Sequence, residues 1–316
     1  MSSFIQEKIN DGKLILWLPL TDGSFQDRST NEHTVVPTGT NPSLDRDGLK
    51  LKNQSYLDVN DANDLSFGDG VTDSPFTFAM WVKLYGTVDI NPFLLKGQKN
   101  SWTNYEYRFG TISAGKLILY LVDQVNGGTI GRFVNTSLTG YENQWIHITG
   151  TYDGSATVAG IKIYLNGVRV DDSNATPGTY VAMSNSVYTL QVGKIHAAYF
   201  DGSAKHITIF NEALTETEIM ELLNETANTK YPTKSKATSK SLDLKELEDT
   251  GIHASYDMNT AGNTVIDSAN GFDGTIINAS KTNTSFGRGM VFDGVDTTIS
   301  LPNLGYTTGD SYTQSY

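Results

Sequence analysis

QWIHITGTYDGSATVAGIKIYLNGVRV, residues 144–170, is the stretch whose reading decides the fold. In Ile161-Lys162-Ile163-Tyr164-Leu165 the apolar Ile161, Ile163 and Leu165 alternate with Lys162 and Tyr164. A two-residue period predicts a strand with one side in a core and the other toward solvent. Asn166-Gly167 follows, the preferred pair for a type I′ turn because both central residues need φ > 0. Val168-Arg169-Val170 then runs back. Upstream, Trp145–Tyr152 is a second β-rich run, stopped by Asp153-Gly154.

Working outward, Leu14–Leu20, Leu49–Leu51 and Tyr56–Val59 read as strands. Phe76–Lys83 puts Phe76, Phe78, Met80 and Val82 on one face. Leu117–Val122, Arg132–Val134 and Thr189–Gly193 read as further strands. Residues 60–75 and 171–187 read as loops, and the aromatic-rich stretch 96–110 is expected to be a loop as well. Thr215-Glu216-Thr217-Glu218 has capping-box spacing and predicts one short helix through Ile219–Leu223. Residues 1–11 read as a short arm, with one helical turn around Phe4 and Ile5, free to dock elsewhere.

The Trp-x-His-Ile strand, the Tyr-Asp-Gly turn and the Tyr-Leu-Asn-Gly hairpin resemble the laminin-G-like jelly roll of the concanavalin A-like lectin/glucanase group. Phe76–Lys83 resembles that family's Phe-Thr…Trp-Val-Lys strand, and Leu190–Gly193 its strand ending in glycine. Phe200–Thr215 resembles its closing strand. The resemblance covers roughly residues 12–225 and implies an all-β sandwich. Since one fold hosts many functions, activity has to be argued from sites.

Composition limits the partners. The net charge of −12 disfavours nucleic acid and anionic membrane surfaces. There is no cysteine, so neither disulfides nor thiolate metal sites are available. No apolar run approaches the ~18 residues that span a bilayer, and Leu14–Leu20, interrupted by Pro19, does not have the layout of a signal peptide. Export through a leader is therefore not expected.

Four domains or segments are expected: an arm at 1–11, a jelly roll at 12–225, a linker at 226–248 and the start of a second copy at 249–316. The linker carries Lys230, Lys234, Lys236 and Lys240. It reads either as a solvated spacer or as a patch for an anionic partner. After it the opening pattern repeats at an offset of roughly 240 residues. Gly251–Asp257 falls at Leu14–Leu20, Asp267–Thr275 at Asp27–Val35, Met290–Gly294 at Leu49–Asn53, and Ser311–Tyr316 at Pro75–Met80. Roughly 65 residues cannot close such a sandwich, so the copy is expected either to be truncated or to be completed by another chain.

A glycosidase on this fold needs two carboxylates facing one cleft. No Glu-x-Asp-x-x-Glu run is present, and Glu106 and Asp58 read as isolated strand carboxylates. His147 reads as a packed strand histidine. The resemblance implies a structural calcium between the early Asp turn and the late Asp-Gly turn, at Asp27 and Asp201 with Asp22 nearby, and at Asp267 in the second copy. Arg28-Ser29-Thr30-Asn31 departs from the family's Ser-Gly-Asn turn, and the alternative is that these aspartates only cap their own turns. For sugar binding, Trp102 is the stacking candidate. Tyr105, Asn100 and Asn104 lie beside it, and Tyr141, Tyr199 and Asn126 are candidate neighbours. Tyr107 and Phe109 read as core.

These readings converge on a non-enzymatic, surface-exposed structural protein of a bacteriophage virion, in a fibre, tail or head decoration. Its expected partners are other virion proteins, host surface glycans and further copies of itself. The alternatives are a secreted or bacterial cell-surface carbohydrate-binding module and a glycan-active enzyme.

Overall fold

Among the described residues of the N-terminal unit every strand pairing is antiparallel, and the strands form two facing layers in a computed structural model of the chain. The structure describes residues 3–45, 47–86 and 89–227. Beyond these it describes only strand segments between 256 and 300. The chain divides into two units, Met1–Thr233 and Lys234–Tyr316.

The first layer contains β1 (Leu14–Leu18), β3 (Ser43–Asp45), β4 (Gly48–Leu51), β6 (Phe76–Leu84), β11 (Trp145–Tyr152), β12 (Ile161–Leu165), β13 (Val168–Arg169) and β18 (Gly202–Phe210). Its order is β13-β12-β11-β6-β18-β4-β3, with β1 also paired to β18. The second contains β2 (Val35–Thr38), β5 (Tyr56–Val59), β7 (Pro92–Gly97), β8 (Tyr105–Ile112), β9 (Lys116–Val122), β10 (Thr129–Ser137), β14 (Ser173–Ala175) and β15 (Leu190–Val192). Its order is β14-β10-β9-β8-β7-β15-β5-β2. A two-stranded flap, β16 (Lys194–Ile195) with β17 (Ala198–Tyr199), follows β15.

The Asn166-Gly167 turn forms as expected, with φ of 51° and 80° and Leu165 opposite Val168. Inward-facing residues of the two layers make one core. Phe76, Phe78, Tyr107 and Phe109 are fully buried, and the Phe78 and Tyr107 rings lie 4.7 Å apart. Each such side chain contributes about 1.5–3 kcal/mol on burial. At Gly150 the layers come so close that an added Cβ would sit 2.9 Å from Leu119 of the opposite sheet.

The outer face of the first layer is not simply solvated. Helix α1 (Phe4–Asn10) and helix α2 (Glu216–Ala227) cover part of it. Ile5, Leu14, Ala79, Tyr164, Phe210, Leu214, Ile219 and Leu222 form a second cluster there. Two expectations change as a result. Tyr164 is buried under this cover instead of facing water. The N-terminal segment is two helical turns docked on its own domain, with Lys8 Nζ bonded to Glu212 at 2.7 Å and Glu218 at 2.6 Å. The capping box forms reciprocally, Thr215 N donating to Glu218 Oε2 at 2.8 Å and Glu218 N to Thr215 Oγ1 at 3.3 Å.

In the second unit, β19 (Tyr256–Asp257), β20 (Thr264–Asp267), β21 (Gly274–Ile277) and β24 (Thr298–Ser300) form one sheet. β22 (Ser280–Thr284) and β23 (Gly287–Val291) form a hairpin. β21 pairs with β24, as β2 pairs with β5 roughly 240 residues earlier. Most of the expected linker, and the 311–316 match, lie outside the described residues.

Candidate functional site

The cleft that collects the sugar-binding candidates lies on the outer side of the second layer, between the 98–104 turn and the β16–β17 flap. β7 ends at Gly97 and β8 begins at Tyr105, so only the seven residues between them are loop. Trp102, at the tip of this turn, is 39 % exposed. Its ring lies 5.2 Å from the imidazole of His196. The two-residue turn His196-Ala197 joins β16 to β17, and His196 takes the left-handed conformation at φ 48°. The cleft, about 370 Å³, is lined by Gln54, Asn100, Lys194, His196, Ala197 and Tyr199. Its lining contains no carboxylate.

Tyrosine rings and ammonium groups build the wall behind it. The Lys194 ammonium sits 4.6 Å from the centre of the Tyr199 ring and 5.6 Å from that of Tyr56. It donates to His196 O at 2.6 Å and Tyr199 Oη at 3.2 Å. Lys99 reaches over Tyr56 and bonds Asp58 Oδ2 at 2.7 Å. The Arg108 guanidinium lies 5.9 Å from the Trp102 ring, and burial lowers its pKa from the ordinary arginine value. Aromatic faces beside amides and N–H donors can stack on an apolar sugar face while bonding its hydroxyls.

The structure divides the expected residues. Asn100 and Tyr199 line the cleft, and Trp102 stands against its His196. Asn104 turns back into its own loop, donating to Gln98 Oε1 at 3.0 Å. Tyr105 is only 6 % exposed, packed with Leu95, Val122 and Ile195 beneath the flap, so it offers no free ring face. Tyr141 packs against the main core, and Asn126 is held by Asp123. Gln54, Lys194, His196 and Arg108 were not legible as site residues. His196-Ala197 lacks an Asn-Gly signature, and the flap's apposition to Trp102 depends on strand order.

The expected calcium residues do not form a ligand set. Both Asp27 oxygens are engaged: Oδ1 accepts from Trp17 N and Ser29 N, and Oδ2 from Ser29 Oγ and His33 N, each at 2.8–2.9 Å. The His33 ring also meets Oδ2 at 2.8 Å and reaches Asp64 at 3.0 Å. Burial alone would lower the His33 pKa, but the hydrogen bonds to Asp27 and Asp64 outweigh it and hold the pKa above 6.5. A histidine held toward its charged form thus stands where the cation was expected. Asp22 is taken by Arg28 at 2.8 Å, and Asp201 is exposed. Among the described residues no group of three His, Cys, Asp or Glu is arranged to hold a metal. A larger hollow of about 570 Å³ here is lined by residues 25–29 and 32–35 alone.

Glu106 and Asp58 are not isolated. Glu106 is fully buried, 3.6 Å from Lys96 Nζ, and accepts from Ser186 N at 2.8 Å. Lys96 also bonds Asp61 at 2.5 Å. Burial raises the Glu106 pKa, opposed by Lys96 and its hydrogen bonds. Neither carboxylate lines the cleft. His147 is 1 % exposed in β11, and its pKa is lowered to about 3 by burial and neighbouring His206, so it is a neutral packed residue.

Comparisons with known proteins agree with the architecture. The receptor binding domain of botulinum neurotoxin D aligns with a TM-score of 0.52 at 13 % identity, covering 93 % of this chain and 79 % of that one. The receptor binding domain of a botulinum neurotoxin C/D mosaic serotype aligns at 0.50 and 16 % identity, covering 68 % of this chain and 52 % of that one. Domain 4 of AbnA, an extracellular arabinanase from Geobacillus stearothermophilus solved with arabinotriose, gives 0.49 at 17 % identity, covering 67 % and 98 %. For the two neurotoxin domains, at these identities, the likeness is one of fold. No curated protein matches the sequence. The Laminin_G_3 family, described as the concanavalin A-like lectin/glucanases superfamily, matches residues 51–220. That segment is more than half of the chain, and the protein belongs to this superfamily.

Proposed function

We propose that the N-terminal unit is a non-catalytic glycan-binding module whose binding surface is the Trp102–His196 cleft. The observation that carries this reading is the make-up of the cleft, a tyrosine, two amides and no carboxylate, with the partly exposed indole of Trp102 set against its His196. Glycoside hydrolysis calls for a pair of carboxyl groups flanking the scissile bond. The wall of this cleft supplies stacking faces and donors instead. In the same proposal the module serves as a surface-exposed structural protein of a virion, holding other virion proteins and displaying the cleft to host glycans. A cysteine-free, acidic chain with a second strand-forming unit after a lysine-rich stretch supports that setting.

The test is a glycan array with the full chain and with Trp102→Ala. Binding that is lost in the variant supports the proposal. Absence of binding, or binding unchanged by the substitution, overturns it. Mass spectrometry of purified particles tests the setting: recovery only as free protein rejects the virion role.

A further inference from the structure

Resting on the glycan-binding reading of the Trp102 cleft, we propose that its ligand is acidic, a sugar whose carboxylate or sulfate supplies the counter-charge that Lys194 and Arg108 lack within the chain. Four cationic side chains are buried among the described residues: Lys8, Lys96, Arg108 and Lys194. Lys8 meets Glu212 and Glu218, and Lys96 meets Asp61 and Glu106. Arg108 and Lys194, 7 % and 5 % exposed, have no carboxylate within ion-pair distance among the described residues. The two exceptions are linked through His196 and Trp102. Lys194 lines the cleft, and the Trp102 ring bridges His196 to the Arg108 guanidinium.

Buried charges are normally paired, because desolvating one without compensation is costly. Carboxylates are not scarce in this chain, which carries 35 Asp and Glu against 23 Lys and Arg. Their absence here is therefore local. Both cations also keep hydrogen-bonding capacity. Lys194 spends two of its three N–H groups on His196 O and Tyr199 Oη. Arg108 donates through one terminal nitrogen to Thr111 O at 2.9 Å, and its buried Nε has no partner. Asp58, on the neighbouring strand beside Tyr56, is paired with Lys99. An anion in the cleft would meet Lys194, which keeps one N–H to donate, and its sugar ring would lie by Tyr199 and Trp102, while Arg108, buried beside Trp102 and outside the cleft lining, would add its charge. Charge-assisted hydrogen bonds of this kind are the strong ones.

The experiment is calorimetric titration of the full chain with uronate oligosaccharides, their methyl esters and O-sulfated neutral counterparts. The acid should bind at least about tenfold tighter than its ester, in line with hydrogen bonds to charged groups. The preference should shrink as salt is raised. Lys194→Gln should weaken acid binding about tenfold and bring the acid-to-ester ratio toward one. Arg108→Gln should do the same, with circular dichroism verifying that it folds. Tighter binding of the sulfated sugar than of the uronate also supports an acidic ligand and assigns the anion as sulfate. Equal binding of acid, ester and sulfated sugar, all lost in Trp102→Ala, would overturn the acidic assignment and leave the glycan reading standing. No binding of any of them by the unaltered chain would remove both.

Discussion

The Asp27 turn and the Trp102 cleft are two concave regions of one domain, and they balance charge in opposite ways. At the turn, both carboxylate oxygens are taken by neighbouring donors and the nearest ring is a histidine held toward its charged form. At the cleft, the buried Lys194, like Arg108 beside Trp102, has no carboxylate within ion-pair distance among the described residues. The turn encloses the larger hollow, yet its own chain has used its chemistry. The lesson is that size does not mark the binding region; an unclosed account of donors and charges does.

The largest expected effect tests the turn. Asp27→Ala should strand the N–H groups of Trp17, Ser29 and His33, costing about 2–4 kcal/mol in denaturant unfolding. A cost near zero would show that the turn is not self-closed. Trp102→Ala should invert that pattern, changing stability by less than about 0.5 kcal/mol while weakening glycan binding by about 1–2 kcal/mol. Equal loss of stability in both variants would erase the distinction between the regions.

The pH dependence sharpens it further. Burial works against charge on Asp27 and His33 alike, but the hydrogen bonds between them prevail and lower the Asp27 pKa while raising that of His33. The histidine contribution is complete below 6.5 and lost as pH rises through its raised folded value. The aspartate contribution is present above the ordinary carboxylate value of 3.8 and lost as pH falls below it. The pair therefore stabilises most between pH 3.8 and 6.5, and His33→Gln should flatten the fall in melting temperature as pH rises above 6.5. The smallest effect concerns calcium. Adding calcium or chelator should move the melting temperature by less than about 1 °C, because an ion binding only the folded state would raise it measurably. A larger shift would reopen the turn as a cation site.

The architecture was largely legible and the cleft only partly so. Strand β6 showed itself through its alternation, and the β12–β13 hairpin through Asn166-Gly167, because local backbone chemistry sets both. The burial of Tyr105 was hidden because a register shift between Lys96 and Gly97 turns it beneath the flap. The docking of α1 onto α2 and the joining of Lys96 to Glu106 and Asp61 depend on partners distant in the chain.

Strand β18 has a further consequence. A register shift between Lys205 and Thr208 lets it pair with β4 over Gly202–Ala204 and with β1 over Ile207–Phe210, while it runs along β6. Among the described residues, the opening strand of the domain thus has no β partner until β18 has been made. On a ribosome, β1 must wait for nearly the whole domain to emerge, and closure over such a chain separation makes the final step of folding slow.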